Sequence, residues 1–190
     1  MALPNSSWPV VFVIVVAVSL SACILAPPII QNVHHVVPGV VVRSAQLSPE
    51  RLAELIQSHK IRSVLNLRGP SPGESWYDDE RAVTARGKVE HFDFPLSSRE
   101  EVPRAQADAL IELMKKAPKP MLIHCWGGAD RTGLAAALYL YAIKNEAAER
   151  AASALSFKYH HLSFTSAGAM DRSFKAFVGA GAPTLAGPVP

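Results

Sequence analysis

Charged residues are absent from the N-terminal part of this 190-residue chain, in which the first Lys, Arg, Asp or Glu is Arg43. Within that part, the block from Val10 to Val18 is entirely apolar, and the apolar run continues to Ala26 with only two serines. Strands average about six residues, so the run is too long for a core strand, and its length approaches the roughly 20 residues of a membrane-spanning helix. We therefore predict that residues 1–30 are a signal peptide, a lipoprotein signal or a membrane anchor.

Two interpretations of this segment remain open. Leu20-Ser21-Ala22-Cys23 resembles a bacterial lipobox, in which the cysteine is lipidated and becomes the mature N-terminus, although the positive charges expected before the apolar block are missing. Alternatively, Trp8 to about Ala26 is an uncleaved anchor helix that ends at Pro27-Pro28. Both interpretations predict a membrane-attached protein whose remaining residues face away from the cytoplasm, in the periplasm of a bacterium.

Cysteine is also scarce, since Cys23 and Cys125 are the only two in the chain. This excludes a disulfide framework, and with Cys23 in the membrane segment Cys125 has no intramolecular partner in the folded domain. The formal net charge is only +3, and the absence of a Lys/Arg run argues against a nucleic acid partner. A length of 190 residues suits one domain with a sizeable core plus an appendage.

Cys125 lies in the stretch with the most informative combination of residues, His124-Cys125-Trp126-Gly127-Gly128-Ala129-Asp130-Arg131-Thr132-Gly133. The apolar run at 120–123 before it is typical of a buried strand, and the Ala- and Leu-rich run at 134–143 after it is typical of a buried helix. The stretch is therefore predicted to be a strand-to-helix loop. Backbone N–H groups converge in such a loop, Gly127 and Gly128 allow them to do so, and the helix dipole adds positive potential. This geometry favours an anion of the size of phosphate.

The residue types of the loop suit phosphoryl transfer. N–H dipoles and a nearby guanidinium favour a thiolate, which makes Cys125 a candidate nucleophile. Arg131 can hold two phosphate oxygens with its planar fork, Thr132 can donate a hydrogen bond to the sulfur, and His124 can orient the loop. An ordinary buried cysteine with a surface arginine would explain the spacing alone, but it would not explain the histidine, the Gly-Gly pair and Arg-Thr-Gly together.

The run from His124 to Gly133 resembles the His-Cys-x5-Arg-[Ser/Thr] signature loop of cysteine-dependent protein phosphatases, particularly the dual-specificity branch. Val41-Val42-Arg43-Ser44-Ala45-Gln46 and Val64-Leu65-Asn66-Leu67-Arg68-Gly69 are similar to stretches of small bacterial dual-specificity-phosphatase-like proteins. The resemblance covers about Val36 to Phe177. It implies a catalytic domain at 36–178 that hydrolyses phosphotyrosine and also phosphoserine or phosphothreonine through a cysteinyl-phosphate, without a cofactor. Residues 179–190 are rich in Gly, Ala and Pro and are predicted to be a flexible tail. The expected substrate-binding residues are Trp126, Gly127, Gly128, Ala129, Asp130, Thr132 and Arg68.

Strand and helix patterns alternate after Arg43. A Pro-Gly turn between β-branched runs predicts a hairpin over 36–43. Strands are predicted at 61–67, 89–94 and 120–123, and helices at 48–60, 76–86, 103–117, 134–143, 146–157 and 170–178. We predict an α/β fold with a mainly parallel central sheet flanked by helices on both faces. Ligands bind beyond the carboxyl ends of such strands, and three of the predicted strand ends carry Arg68, Asp93 and Cys125.

Phosphoryl transfer also needs an acid that protonates the departing oxygen. Asp93 is the first candidate because it lies at a predicted strand end between two aromatic residues, and the family's general acid has a similar separation from the cysteine. Asp130, inside the loop, is the second candidate, with the alternative that it is the N-cap of a helix beginning at Arg131. Arg68 could hold a second substrate phosphate or pair with an Asp or Glu.

Other functions remain open. The chain could be a phosphatase of inositol phosphates or phosphoinositides, but the loop has no lysine, which makes densely charged substrates less favoured. A phosphate-binding module without turnover would not need the complete Cys, Arg and Thr set, and a sulfur transferase of the rhodanese type would not need Asp93 or the Arg-Thr pair. His34-His35 and His160-His161 lack Cys or carboxylate residues at ligand spacing, so no metal is expected. The expected partners are a phosphorylated protein or a small phosphoester, and the membrane.

Overall fold

The computed structural model describes residues 31–181, which contain a five-stranded sheet. Its strands are β1 (His34–Val37), β2 (Val41–Ser44), β3 (Ser63–Asn66), β4 (Glu90–Asp93) and β5 (Met121–His124), in the order β1-β2-β5-β3-β4. The strands β2, β5, β3 and β4 run parallel, whereas β1 pairs with β2 as the predicted antiparallel hairpin. The prediction of a mainly parallel sheet is confirmed.

Six α-helices are present in the described part of the chain: α1 (Pro49–His59), α2 (Ser75–Arg86), α3 (Arg104–Lys116), α4 (Asp130–Leu138), α5 (Ala148–Ala152) and α6 (Gly168–Gly179). Local signals set several helix ends as predicted. Ser48 accepts the N-cap hydrogen bond from the backbone of Arg51, Pro49 opens α1, and Gly87 follows α2. No helix within residues 31–181 is both long enough and apolar enough to cross a membrane.

The helices cover both faces of the sheet, as predicted. Because neighbouring residues of a strand point to opposite faces, Val64 of β3 and Leu122 of β5 pack with α1 and α2, whereas Leu65 and Ile123 pack with α3, α4 and α6. The second face holds the larger core, in which every residue from Thr132 to Leu138 is buried. The signature stretch is thereby fixed between the central strand and a helix that is buried on nearly all sides.

The predicted helix at 146–157 is shorter in the structure than expected. It ends at Ala152, and a 3-10 turn follows at Phe157–Tyr159. One physical reason is a long-range contact, since the carbonyl of Ala154 accepts a hydrogen bond from buried Arg43 at 2.8 Å. The helix α4 also differs in detail, because it continues as a π-helical turn at Tyr139–Ile143. Residues 1–30 and 182–190, which include the predicted membrane segment and most of the predicted tail, lie outside the described residues.

The carboxyl ends of the parallel strands meet at one edge of the sheet. Asn66 is paired with both Asp93 and His124, so β3, β4 and β5 end side by side. The described chain also enters at this edge, because the carbonyl of Gln31 accepts a hydrogen bond from the backbone N–H of Ala45 at 2.8 Å, directly after β2. The predicted site edge is therefore also the edge at which the described part of the chain begins.

Candidate active site

The signature loop has the predicted position between β5 and α4, with the free Cys125 thiol buried in its centre. Gly128 is the glycine that the loop requires. Its φ is +67°, and a Cβ there would lie 2.5 Å from the backbone of Ser44 at the end of β2. Gly127 has open space around it and no positive φ, so of the two loop glycines only Gly128 is required by the backbone geometry.

Arg43, in β2, binds the backbone carbonyls of the loop. Its buried guanidinium donates through Nη2 to the carbonyls of Gly128 at 2.8 Å and Ala129 at 3.2 Å, and through Nη1 to Ala154. The same group lies 4.0 Å from the ring centroid of Tyr159. Burial lowers the pKa of Arg43 to about 10, while Tyr159 acts in the opposite direction, so the side chain stays charged at neutral pH.

Asn32 supports the same loop from the chain's N-terminal side. Its Nδ2 donates to the carbonyl of Gly127 at 3.1 Å and to the carbonyl of Tyr159 at 3.0 Å. Three consecutive loop carbonyls are thus engaged by side chains beneath the loop. Because the C=O and N–H of a trans peptide point in opposite directions, this arrangement leaves the N–H groups of those peptides on the side available to an anion.

Arg131 and Thr132 carry donors that are not used elsewhere. Arg131 Nη1 makes long contacts with the carbonyls of Leu67 at 3.4 Å and Leu96 at 3.5 Å, which orient the guanidinium. Its Nε and the Thr132 hydroxyl are buried and have no hydrogen-bond partner among the described residues. The predicted hydrogen bond from Thr132 to the Cys125 sulfur is therefore not formed here. Buried donors without partners are costly in a folded protein, and a bound oxyanion would satisfy them.

His124 is anchored through its ring, as predicted, but its partner comes from α2. His124 Nε2 lies 3.0 Å from Oε1 of Glu80, which also contacts His91 Nε2 at 2.8 Å. Gln46 Nε2 donates to the other Glu80 oxygen at 2.6 Å. Burial raises the pKa of Glu80, but the charge and hydrogen bond of His124, with the contacts from His91 and Gln46, outweigh it and hold the pKa well below its usual value.

Sequence reasoning missed Glu80, although a signal for it exists. Tyr77, Glu80, Val83 and Thr84 are the buried residues of α2 and lie three or four positions apart on one face. An acidic residue on such a stripe needs a polar partner in the core. Arg43 could have been noticed in the same way, because it interrupts the apolar run of a strand whose residues are all buried.

Asp93 lies at the end of β4, two strands away from β5 in the sheet order. Both of its carboxylate oxygens accept hydrogen bonds, Oδ1 from Asn66 Nδ2 at 2.8 Å and Oδ2 from the Tyr77 hydroxyl at 2.6 Å. Adjacent strands are about 4.8 Å apart, so the strand end that carries Asp93 is roughly 10 Å from that of Cys125. The structure places the two residues at the same edge without direct contact.

Asp130 is the first residue of α4, and the N-cap position belongs to Ala129 without a side-chain cap hydrogen bond. The interpretation of Asp130 as a helix N-cap is therefore wrong. Its Oδ1 instead lies 2.7 Å from Nδ1 of His161, whose Nε2 lies 2.7 Å from Oδ2 of Asp171 in α6. The fully buried His161 ring thus ties the signature loop to α6.

The remaining predicted site residues surround the loop. Trp126, which follows Cys125 in the chain, is 47% exposed, whereas Ala129 is buried. Arg68 is stacked on Trp76 and hydrogen-bonded to Gln46, and among residues 31–181 it pairs with no Asp or Glu side chain. In the same part of the chain, no group of three or more His, Cys, Asp or Glu side chains is arranged to hold a metal ion.

Comparisons with known proteins agree with this geometry. Residues 30–176 match the sequence model of PTP-SAK, described as a Swiss Army Knife protein, DSP-PTPase phosphatase domain. The curated proteins contain no match. The fold is similar to the crystal structure of TpbA from P. aeruginosa in complex with pTyr, with a TM-score of 0.60, 21% identity and coverage of 77% of this chain and 90% of that one.

Two further solved structures share the fold. PTPMT1 in complex with PI(5)P has a TM-score of 0.60 at 15% identity, with 79% of this chain and 99% of that chain covered. The core catalytic domain of the PP-IP phosphatase SIW14 from S. cerevisiae has a TM-score of 0.53 at 21% identity, with 73% and 89% covered. At these identities the likeness establishes a common fold.

Proposed function

The chain belongs to the PTP-SAK family of DSP-PTPase phosphatase domains, and on that premise we propose that it hydrolyses phosphomonoesters through a cysteinyl-phosphate on Cys125. One observation carries the proposal. The signature stretch holds a buried free thiol, side chains bind its loop carbonyls, and the buried Nε of Arg131 and hydroxyl of Thr132 have no partners among the described residues. The site thus has unused donors where a phosphoryl group would bind.

The reaction proceeds in two steps that use the same loop. The Cys125 thiolate attacks phosphorus, the bond to the ester oxygen breaks, and that oxygen takes a proton from a general acid. Water then attacks the cysteinyl-phosphate, the sulfur–phosphorus bond breaks, and the proton released by the water returns to the same residue. Arg131 and the loop N–H groups stabilise the equatorial oxygens in both transition states, and the Thr132 hydroxyl can turn to the departing sulfur.

Asp93 is the proposed general acid. It shares the sheet edge with Cys125 and comes from a separate strand, so it can approach the ester oxygen from outside the phosphate loop, as in-line displacement requires. Donation requires Asp93 to exchange its contact with Tyr77 for one with the substrate, since both its oxygens are engaged. Asp130 remains the rival, because it lies within the loop next to Arg131.

Phosphotyrosine is the proposed preferred phosphoester, with phosphoserine and phosphothreonine as further substrates. The exposed ring of Trp126 next to Cys125 supports an aromatic leaving group, which could stack on it. TpbA, which shares the fold, has been crystallised with pTyr. Inositol phosphates and phosphoinositides form the second candidate class, since PTPMT1 has been crystallised with PI(5)P and SIW14 is a PP-IP phosphatase.

Turnover of a phosphotyrosyl peptide, a phosphoseryl peptide and an inositol phosphate tests both parts of the proposal. Cys125→Ser should abolish hydrolysis while retaining substrate binding, because the loop N–H groups remain. Arg131→Lys should also be inactive, because a point charge cannot reproduce the bidentate fork. Substantial turnover by Cys125→Ser would refute the cysteinyl-phosphate, and a preference for the inositol phosphate would assign the second substrate class.

We also propose that residues 1–30 attach the protein to a membrane, with the catalytic domain outside the cytoplasm. The support is the charge-free apolar run that ends near Leu20-Ser21-Ala22-Cys23. Mass spectrometry of the membrane fraction should find either a lipidated Cys23 or an intact Met1, and protease added to spheroplasts should digest the domain. A full-length protein that is soluble in the cytosol would contradict both forms of attachment.

A further inference from the structure

Arg68 is fixed at the rim of the site by two neutral side chains. Its Cζ lies 3.4 Å from the ring centroid of Trp76, and its Nη1 donates to Oε1 of Gln46 at 3.2 Å. Gln46 is itself tied to the signature loop, because its backbone N–H donates to the carbonyl of Trp126 at 3.0 Å. An arginine side chain normally samples many rotamers, so these contacts hold the guanidinium in one place beside the loop.

Arg68 forms no ion pair with an Asp or Glu side chain among residues 31–181. Its side-chain hydrogen bond is with Gln46 and its cation–π contact is with Trp76, both uncharged. Glu80 is the nearby buried carboxylate, but its oxygens are engaged by Gln46 and two histidines. Burial lowers the pKa of Arg68 and the positive charge of Arg131 lowers it further, whereas electrostatic interactions with Glu80, Cys125 and Glu74 act in the opposite direction. Two neighbouring guanidinium groups repel each other, and an anion between or beside them would relieve this repulsion.

We propose that Arg68 binds a second anionic group of the substrate, so that a phosphomonoester with a carboxylate or a second phosphate near the transferred phosphoryl group is hydrolysed faster than an uncharged one of the same shape. This inference rests on the proposed phosphatase function. The transferred phosphoryl group is already served by Arg131 and the loop N–H groups. Arg68 follows β3 outside the loop, on the side of Gln46 and Trp76, and is therefore placed for a neighbouring anion. Its rigid fork suits either oxyanion.

Aryl phosphates that differ only in the second group provide the test. The substrates are meta- and para-carboxyphenyl phosphate, the uncharged carbamoylphenyl phosphates of the same shape, and meta-phenylene bisphosphate. The readout is the ratio of kcat/KM between a charged substrate and its uncharged counterpart, which is insensitive to changes that affect all substrates equally. We expect a ratio of about 10 to 100 for at least one charged substrate with the unaltered protein, as charge-assisted hydrogen bonds provide. The carboxylate and bisphosphate arms identify which anion is preferred.

Arg68→Gln should bring this ratio close to one. Arg62→Gln is the matched control, because Arg62 is exposed just before β3, at the opposite edge of the sheet, and its loss changes the net charge equally. If Arg68→Gln does not fold, Trp76→Leu, which removes the stacking partner, should lower the ratio. A ratio near one for the unaltered protein, or a ratio that survives Arg68→Gln or Trp76→Leu, would overturn the inference. Failure to hydrolyse any of these aryl phosphates would instead refute the proposed function.

Discussion

Nη2 of Arg43 lies 2.8 Å from the carbonyl oxygen of Gly128, and this hydrogen bond joins a buried charge at the end of β2 to the signature loop. The residues are 85 positions apart in the chain. A single guanidinium also reaches Ala129 and Ala154, so the loop, the turn after α5 and the central sheet share one donor group. The orientation of the loop peptides therefore depends on a residue that lies outside the signature.

Replacing Arg43 should damage the loop more than the fold. Arg43→Met leaves the carbonyls of Gly128, Ala129 and Ala154 without their donor, at a cost of roughly 1–3 kcal/mol for each that finds no other partner. We expect a lower midpoint of urea unfolding and loss of inorganic phosphate binding by calorimetry. Arg99→Met, at an exposed position, is the control. Phosphate affinity that is unchanged in folded Arg43→Met would contradict this role.

The two loop glycines should respond differently to an added methyl group. Gly128→Ala forces a side chain into a positive φ and within 2.5 Å of the Ser44 backbone, so the loop must move and turnover should be lost. Gly127→Ala meets nothing within 4 Å and should keep most of the activity. Turnover of phenyl phosphate by both variants checks the prediction, and equal activity of the two would show that the loop does not require its observed shape.

The elements of the fold follow from local patterns, which explains why the sequence predicts them. Ser48-Pro49 and Gly87 set the ends of their own helices, and the short apolar run before His124 is typical of a buried strand. The order of the strands is set by packing between distant segments, so it does not appear in any such pattern. The same holds for the helix predicted at 146–157, whose shortening involves the contact between Arg43 and Ala154.

The candidate site also contains residues that a local pattern predicts and residues that only long-range packing brings together. Cys125, Arg131 and Thr132 all lie within the signature stretch and form a recognisable spacing, and the structure places Cys125 directly after β5 and Arg131 and Thr132 in the first turn of α4. Glu80 meets His124 across 44 positions, and His161 meets Asp130 across 31. Contacts between residues so far apart in the chain depend on the tertiary fold and cannot be predicted from local sequence patterns. The sequence indicates only that a polar residue on a buried apolar face needs some hydrogen-bond partner.

His161 should make stability depend on pH above neutrality. Its hydrogen bond to Asp130 raises its pKa, burial opposes this, and Asp171 adds to the rise. A group with a pKa raised above its unfolded value of about 6.5 stabilises the fold fully below that pH and loses the contribution as the pH rises through the folded value. His161→Asn should therefore cost roughly 1–3 kcal/mol at pH 5.5 and less at pH 9.

Urea unfolding of the protein and the variant across that pH range measures this difference. His160→Asn is the matched control, because the neighbouring His160 is exposed and has a φ of 63°, which asparagine accepts. A difference between wild type and His161→Asn that stays constant with pH would show that the ring contributes by packing alone. Asp171→Asn should reduce the pH dependence as well, because it removes one of the two carboxylates that face the ring.

The assignment of the general acid can be decided by the dependence of rate on leaving group. Asp93 and Asp130 both lie at the carboxyl edge of the sheet, but Asp93 ends another strand, whereas Asp130 is the first residue of α4, directly after the loop that we propose binds the equatorial oxygens. Loss of the true acid should slow phenyl and alkyl phosphates by about 10²–10⁴-fold, and strongly activated aryl phosphates much less, because a good leaving group hardly needs the proton.

We expect Asp93→Asn to show this leaving-group dependence and Asp130→Asn to lower the rates of all substrates similarly. The uniform loss follows from the structure, because Asp130 is bonded to His161 and its replacement would loosen the loop from α6 without removing a proton donor. Tyr77→Phe supplies a further check, since it removes the hydroxyl on Asp93 Oδ2 and leaves the phosphate loop intact. It should alter the rates of poor leaving groups only. The opposite pattern, with leaving-group dependence in Asp130→Asn alone, would transfer the role to Asp130.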